Sequence, residues 1–355
     1  MRQLKIAWVY TKGRTASWLK RALGGAPLGG SGTSMLHYAR EFAKLGHEVT
    51  IFTPGVRTCE IDGVQWRDTK GMCQQQHDVA IALRFPEALP GMFARLRVLY
   101  CCDVRIPELP EYVNDGFVDL IITISKYQKD LFQGQYPIPT DLYMVSNAGI
   151  VYSDYLNKNV KKVKGRCIYC STPVRGLLPL IEAWPLIREK VPYATLHVTG
   201  GLGLWGMDVP IEDQPMIQSL LKLEGAKYLG LLSREDLVRE QLEAEVMLLP
   251  GMTNSREMCC ISAMECQAAK VFPLVGDIGA LPERVVYGNV GLVCPVDGLS
   301  VVTETFAELA IGILRMRDPL MDVHHGSEMA RQYDYSVLAQ QWIERFEKEL
   351  ERGAT

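Results

Sequence analysis

The sequence lacks any apolar run of the ~20 residues that a membrane-crossing helix needs. It also lacks a recognisable export signal. The first apolar stretch, Ile6 to Tyr10, is too short for a secretory hydrophobic segment, and no small-residue cleavage site follows it. Ten cysteines are present, but not at disulfide-framework spacing; without an export signal they read as reduced thiols of a cytoplasmic protein. There is no repeat of fixed period and no low-complexity tract. Nor is there an excess of basic charge: 38 Lys and Arg stand against 41 Asp and Glu, a net charge of −3, which argues against a wholesale nucleic-acid binder. One local absence runs the other way. Residues 1 to 40 hold no Asp or Glu but seven basic residues, Arg2, Lys5, Lys12, Arg14, Lys20, Arg21 and Arg40. That asymmetry fits either a solvated face or a positive surface for an anionic partner or a membrane.

What is present is ordinary for a folded globular chain, with 48% hydrophobic and 22% charged residues. Its 355 residues exceed one typical domain. Lys5 to Tyr10 reads as a buried strand, and a long loop leads to Gly29-Gly30-Ser31-Gly32. Met35, Leu36, Ala39, Phe42 and Ala43 then recur at helical spacing, with Gly46 as the stop and Val49 to Phe52 as the next strand. Such a unit pairs its strands in parallel through a right-handed crossover. Further short strands are expected at 78–83, 96–101, 119–124 and 143–146, with Ser125 capping a helix from Lys126 to Phe132. The polar, basic segment 157–165 suits a linker. The alternation then restarts with strands at 167–170, 194–199, 227–229, 246–249 and 272–275 and a helix at 177–189. Ser336 to Leu350 forms a final amphipathic helix. The predicted fold class is therefore α/β, two Rossmann-like doubly wound parallel sheets facing a cleft. The domains expected are 1–157, 158–335, and a C-terminal helix 336–355 crossing back to the first. Ligands in such folds sit at the carboxyl ends of strands.

Several residues carry candidate chemistry. The glycines at 29–32 suit a phosphate-approaching turn before a helix, yet their spacing is not G-x-G-x-x-G. Thr53 stands where a dinucleotide fold would have an acid, which disfavours a nicotinamide-dependent dehydrogenase. Glu257 and Glu265 are eight residues apart around an expected helix start, up to ~12 Å at ~1.5 Å per residue. That is too far for two carboxylates acting on one bond, but it suits acceptors at the two ends of an extended ligand, with backbone amides between them facing an anion. The rival is one helix-start Glu and one surface Glu. Cys167-x-x-Cys170 falls within a strand and has no second half-site, so buried structural thiols are expected rather than zinc. His37 and His47 are expected at the surface. Trp18 and Leu19, among basic residues, form a short amphipathic patch.

The order of these segments resembles the family-four retaining glycosyltransferases of the GT-B fold across nearly the whole chain. The resemblance is carried by Gly29–Gly32, Ile124-Ser125-Lys126-Tyr127, Ser146-Asn147-Ala148-Gly149-Ile150, Thr172-Pro173-Val174-Arg175-Gly176-Leu177, Leu281-Pro282-Glu283 and Gly291-Leu292-Val293. Its most specific element is the Glu-x7-Glu motif at Glu257 and Glu265. The resemblance implies that Glu257 binds donor-sugar hydroxyls and Glu265 the nucleotide's ribose. It implies that Arg175 neutralises the diphosphate, joined by amides around Cys260 and Ile261. Gly29, Gly30, Ser31, Ser171 and Gly200 complete the donor site. A leaving diphosphate gains charge in the transition state, where a fixed guanidinium and aimed amides contribute most. No resident metal or cofactor is implied, and the chain has no Asp-x-Asp triplet to hold Mg²⁺. Two positions depart from the pattern. Cys170 stands where a second Arg is usual, and Cys102-Asp103 stands where a His-Asp pair is usual; Cys102, Asp103 and Asn147 are the candidate sugar or acceptor contacts.

The expectation is transfer of a sugar from a UDP- or GDP-linked donor to an acceptor held by the first domain. Anionic glycan, lipid-linked intermediate and nucleic acid are the acceptor classes left open, as is peripheral docking at a membrane. A catalytically silent nucleotide-sugar binding protein and a sugar-nucleotide epimerase remain as alternatives.

Overall fold

The computed structural model describes residues 2–11, 27–285, 291–316 and 323–353. The chain divides into two units. Unit 1 combines the N-terminal strand with Leu28–Gly149 and the segment from Asp334 onward; unit 2 is Ile150–Tyr333.

Unit 1 is built on eight strands: β1 (Lys5–Val9), β2 (Glu48–Phe52), β3 (Cys59–Ile61), β4 (Val64–Arg67), β5 (Gln76–Leu83), β6 (Phe93–Tyr100), β7 (Leu120–Thr123) and β8 (Tyr143–Val145), in the order β3-β4-β2-β1-β5-β6-β7-β8. All pairings are parallel except β3 with β4. Ile6 opposes Val49 on one side of β1 and Val79 on the other. Strands covered on both faces need continuous apolar runs, and β7, Leu-Ile-Ile-Thr, is buried throughout. Three helices follow in chain order, α1 (Gly30–Lys44), α2 (Leu109–Asn114) and α3 (Lys126–Gln135). Ser125 caps α3 as expected, its hydroxyl accepting from the Gln128 amide at 3.0 Å. The C-terminal helix Tyr335–Arg352 completes this unit. Trp342 stacks on Tyr38 with ring centroids 4.2 Å apart and donates Nε1–H to Ser146 Oγ at 2.7 Å.

Unit 2 carries a six-stranded, wholly parallel sheet of β9 (Arg166–Cys170), β10 (Thr195–Thr199), β11 (Ala226–Gly230), β12 (Val246–Leu249), β13 (Phe272–Gly276) and β14 (Leu292–Cys294). Their order is β11-β10-β9-β12-β13-β14. A small antiparallel hairpin of β15 (Val296–Asp297) and β16 (Ser300–Val301) follows. The helices of this unit are α4 (Leu177–Lys190), α5 (Pro215–Leu220), α6 (Arg234–Glu243), α7 (Ile261–Ala268), α8 (Leu281–Val285), α9 (Thr303–Arg315) and α10 (Val323–Ala330). The chain winds from β9 outward to β10 and β11, then returns to place β12 on the other side of β9. Direction therefore reverses between β9 and β12, and such a switch opens a crevice at the carboxyl ends of the two strands.

Three expectations need correction. His47 is buried, not at the surface: its Nδ1 accepts from the Leu4 amide at 3.1 Å, and burial holds its pKa below the usual value. The segment read as a linker is anchored to unit 2. Lys162 donates to the carbonyls of Ala244 and Ala269 at 2.6 and 2.8 Å, and the Gly165 amide donates to Glu245 at 2.6 Å. Two carbonyls that end α6 and α7 draw in a cation that composition alone would leave in water. The glycines at 29–32, read as a turn before the helix, are the start of the helix itself. Gly29 is the N-cap of α1, and Gly30 and Ser31 lie in its first turn.

Candidate functional site

In unit 2 the carboxyl ends of β10, β9, β12 and β13 lie side by side. Ser171 follows β9, Gly200 follows β10, Pro250-Gly251 follows β12 and Asp277 follows β13. Ser171 and Gly200 touch through their backbones, since a Cβ added to Gly200 would lie 2.4 Å from the Ser171 carbonyl oxygen. Past Ser171, a single turn at Pro173–Arg175 points the chain into α4. Its register is braced by Tyr169, whose hydroxyl donates to the Thr172 carbonyl at 2.8 Å.

The loop after β12 carries Arg256 and Glu257. Arg175 meets both, at the switch between β9 and β12: its Nη1 lies 3.1 Å from Glu257 Oε2 and donates to the Arg256 carbonyl at 2.8 Å. The two side chains are 26% and 21% exposed, so the pair is open enough to accept a ligand. Glu257 is held by its backbone as well. Its carbonyl accepts from the Ala280 amide at 2.8 Å, and Gly279, at φ +62°, brings the β13–α8 loop against it. A Cβ at Gly279 would stand 2.3 Å from that carbonyl oxygen.

Three residues on, Cys260 is the N-cap of α7. Its φ of 65° and ψ of 76° are left-handed values that a side chain with a Cβ adopts at a cost. That bend turns the chain into α7, where the Ala263 amide donates back to the Cys260 carbonyl at 3.3 Å and the amides at Ile261 and Ser262 open the helix. Ser262 Oγ donates to the Cys170 carbonyl at 2.6 Å, tying the start of α7 to the end of β9. Arg175, Glu257, the turn at Cys260–Ile261 and Ser171 thus converge on one crevice, with Gly200 beside Ser171. A guanidinium, the amide end of a helix and glycine backbone, gathered at the carboxyl ends of β9, β10 and β12, are the chemistry that phosphate groups pair with.

Cys170 itself is buried, and both its hydrogen bond with Cys266 and its burial push the thiol's pKa well up. It is a neutral group beneath the site. Cys167, three residues earlier on β9, is also buried.

Glu265 is one helical stretch further on and is buried. Its Oε1 accepts from Arg234 Nη1 at 2.5 Å and its Oε2 from Gln241 Nε2 at 3.2 Å, both on α6. Arg234 also donates Nε–H to Asp154 at 2.8 Å and Nη2–H to Tyr155 Oη at 3.1 Å, and Tyr155 donates in turn to Gln241 Oε1 at 2.7 Å. Burial works against the Arg234 charge, but Glu265, Tyr155 and Asp154 more than offset it and raise its pKa. Neither acid of the Glu-x7-Glu pair lies free in solvent. Arg234, Gln241, Asp154 and Tyr155 escaped the sequence reading because they stand 24 to 111 positions from Glu265 with no motif to join them.

The other expected site residues lie in unit 1. Asp103 is bonded through both oxygens to Arg84, from Nε at 2.7 Å and Nη2 at 2.5 Å. Cys102 is half-buried beside it, and the Asn147 carbonyl accepts from Tyr38 Oη at 2.5 Å. Of the basic residues expected to form a positive surface, Arg2, Lys5 and Arg40 are described. Each sits within 4 Å of an acid, Asp78, Glu48 and Asp62 respectively. Lys12, Arg14, Trp18, Leu19, Lys20 and Arg21 lie outside the described residues.

Comparison with known proteins gives the class first. The solved structure of HepE from Anabaena in complex with UDP and glucose superposes with a TM-score of 0.70 over 98% of this chain and 100% of its own, at 15% identity. Sucrose-phosphate synthase from Thermosynechococcus elongatus does so with a TM-score of 0.72 over 99% and 100%, at 13% identity. The fold is accordingly that of the GT-B glycosyltransferases, two Rossmann-like units with parallel sheets. More particularly, residues 170–310 match the model of the family Glycosyl transferases group 1. Both ends of the Arg175–Glu257 pair, and Glu265, fall inside it. A curated relative, the GDP-mannose-dependent alpha-(1-6)-phosphatidylinositol monomannoside mannosyltransferase of Mycobacterium tuberculosis, is 30% identical over 158 residues. That match spans 41% of this chain and 37% of the relative's length.

Proposed function

We propose that this chain is a glycosyltransferase that moves a sugar from a nucleoside-diphosphate donor to an acceptor, with retention of anomeric configuration and without a resident metal. The carrying observation is the Arg175–Glu257 pair, which spans the β9–β12 switch at the mouth of α7. In this scheme the diphosphate lies against Arg175, the amides at Cys260 and Ile261, and the backbone of Ser171 and Gly200. Entry of the phosphates draws the guanidinium off Glu257 and frees that carboxylate to accept from the sugar's hydroxyls. Glu265, fixed from α6, takes the ribose. As the glycosidic bond breaks, negative charge grows on the diphosphate. A guanidinium and amides already aimed at it lower the barrier without reorganising. The relative named for GDP-mannose and the HepE complex holding UDP and glucose support this class of donor.

Cys170 favours one second reading, a protein that binds a nucleotide sugar without turning it over, because a neutral buried thiol supplies no charge to the leaving group. Release of nucleoside diphosphate from GDP-mannose and UDP-glucose decides between them, assayed with and without a chelator. Turnover is expected for at least one donor, unaffected by the chelator, and Glu257→Gln is expected to cut it ~100-fold or more. Binding without release would leave only the second reading. Equal turnover by the variant would remove Glu257 from the site.

A further inference from the structure

The carboxyl edge of the unit 1 sheet holds a second polar construction. Winding reverses there between β1 and β5, and Arg84 directly follows β5. Its φ of 68° is a left-handed value, unusual for a residue with a side chain. That conformation directs the guanidinium to Asp103, in the loop after β6, through the two-bond pairing described above. Asp103 is itself held in place: buried Gln128 donates to its carbonyl at 2.8 Å and accepts from the Ile124 amide at 2.8 Å. The pair lines a cavity of about 630 Å³ with Phe85 and Tyr112 in its wall. The other charged lining residues are Arg105, Glu87 and Glu108, so two cations stand against three carboxylates.

We propose that this cavity takes the acceptor of the transfer as a neutral carbohydrate, two neighbouring hydroxyls bridging Arg84 and Asp103. The Arg84 charge is already matched by Asp103, and Glu87 and Glu108 outnumber Arg105 in the remaining wall, so an anion meets no net positive field there. A diol displaces nothing. A guanidinium has five N–H donors, of which Arg84 gives two to Asp103, and each Asp103 oxygen retains a lone pair. The pair therefore offers a donor and an acceptor side by side, the pattern that adjacent sugar hydroxyls match, while the aromatic rings suit the C–H face of a pyranose.

This names the acceptor chemistry of the glycosyltransferase reading and so rests on it, but its test needs no turnover. The full chain is titrated with methyl α-mannopyranoside, methyl α-glucopyranoside and mannose 6-phosphate, followed by saturation-transfer NMR at low and high salt. At least one neutral glycoside is expected to bind equally at both salt concentrations, and the phosphate no more tightly. Arg84→Gly, which suits the left-handed backbone, and Asp103→Asn, which keeps the shape, are each expected to weaken binding ~10-fold or more. A near-UV circular dichroism spectrum and melting temperature like those of wild type report that each variant is folded, and GDP or UDP binding is read in the same samples. Binding of neither neutral glycoside, or undiminished binding in both variants, overturns the proposal. So does a phosphate preference that collapses as salt rises. If nucleotide binds and the glycosides do not, this inference fails alone; if no nucleotide binds, the glycosyltransferase reading fails.

Discussion

At the scale of single residues, Glu265 depends on its setting more than on its own charge. A carboxylate with both oxygens engaged by side chains of α6 is fixed in orientation, which suits the proposed role at the ribose. Arg234 holds Asp154, Tyr155 and Glu265 together, so its loss loosens that orientation. Arg234→Ala is expected to weaken nucleoside diphosphate binding ~10-fold, about 1.4 kcal/mol, and to erode discrimination against the 2′-deoxy nucleotide; Arg234→Lys should restore part of both. Calorimetric titration of the ribo- and deoxynucleotide checks this. Undiminished discrimination in Arg234→Ala would show a purely structural role. The Glu-x7-Glu spacing stood out in the sequence because both acids flank one expected helix start, whereas Arg175 entered only through the family resemblance. The α6 partners were not, because contact across sequence distance leaves no periodicity.

At the scale of elements, alternating apolar runs and helical patterns were enough to place most strands of both sheets, since parallel strands buried on both faces must be continuously apolar. The β3–β4 hairpin was missed. Its strands are only three and four residues long, and the one signal for it is Asp62-Gly63, both at positive φ, a pairing typical of tight hairpin turns. The segment at 157–164 is exposed apart from Lys162, and charge alone does not single out that one residue, which sits over the ends of α6 and α7. Burial lowers its pKa to about 8. The folded-state value is below the unfolded one, so between about pH 8 and the ordinary lysine range the unfolded chain holds the extra proton and stability rises with pH. Denaturant unfolding of wild type and Lys162→Met across that window is expected to show the difference moving in favour of the wild type as pH rises. A pH-independent difference would mean that Lys162 titrates normally.

At the scale of the whole molecule, unit 1 is closed by the far end of the chain. Trp342 is fully buried among Trp8, Tyr38, Tyr100 and Phe346, so β1, α1 and the C-terminal helix share one aromatic core. Trp342→Ala removes one of the two tryptophans of that cluster and its hydrogen bond to Ser146. A loss of about 3–5 kcal/mol is expected, measured by chemical denaturation. The unit 2 crevice is built without any of these residues. Its nucleotide affinity in the Trp342→Ala chain, measured where that chain remains folded, is expected to stay within twofold of wild type.

The central claim is that the β9–β12 crevice of unit 2 holds a nucleoside diphosphate through Arg175. Isothermal titration of the full chain with GDP and UDP tests it most directly. Binding of at least one is expected, accompanied by a raised melting temperature, with a ~10-fold or greater loss in Arg175→Ala. No binding of either nucleotide, or unchanged affinity once Arg175 is gone, would contradict it.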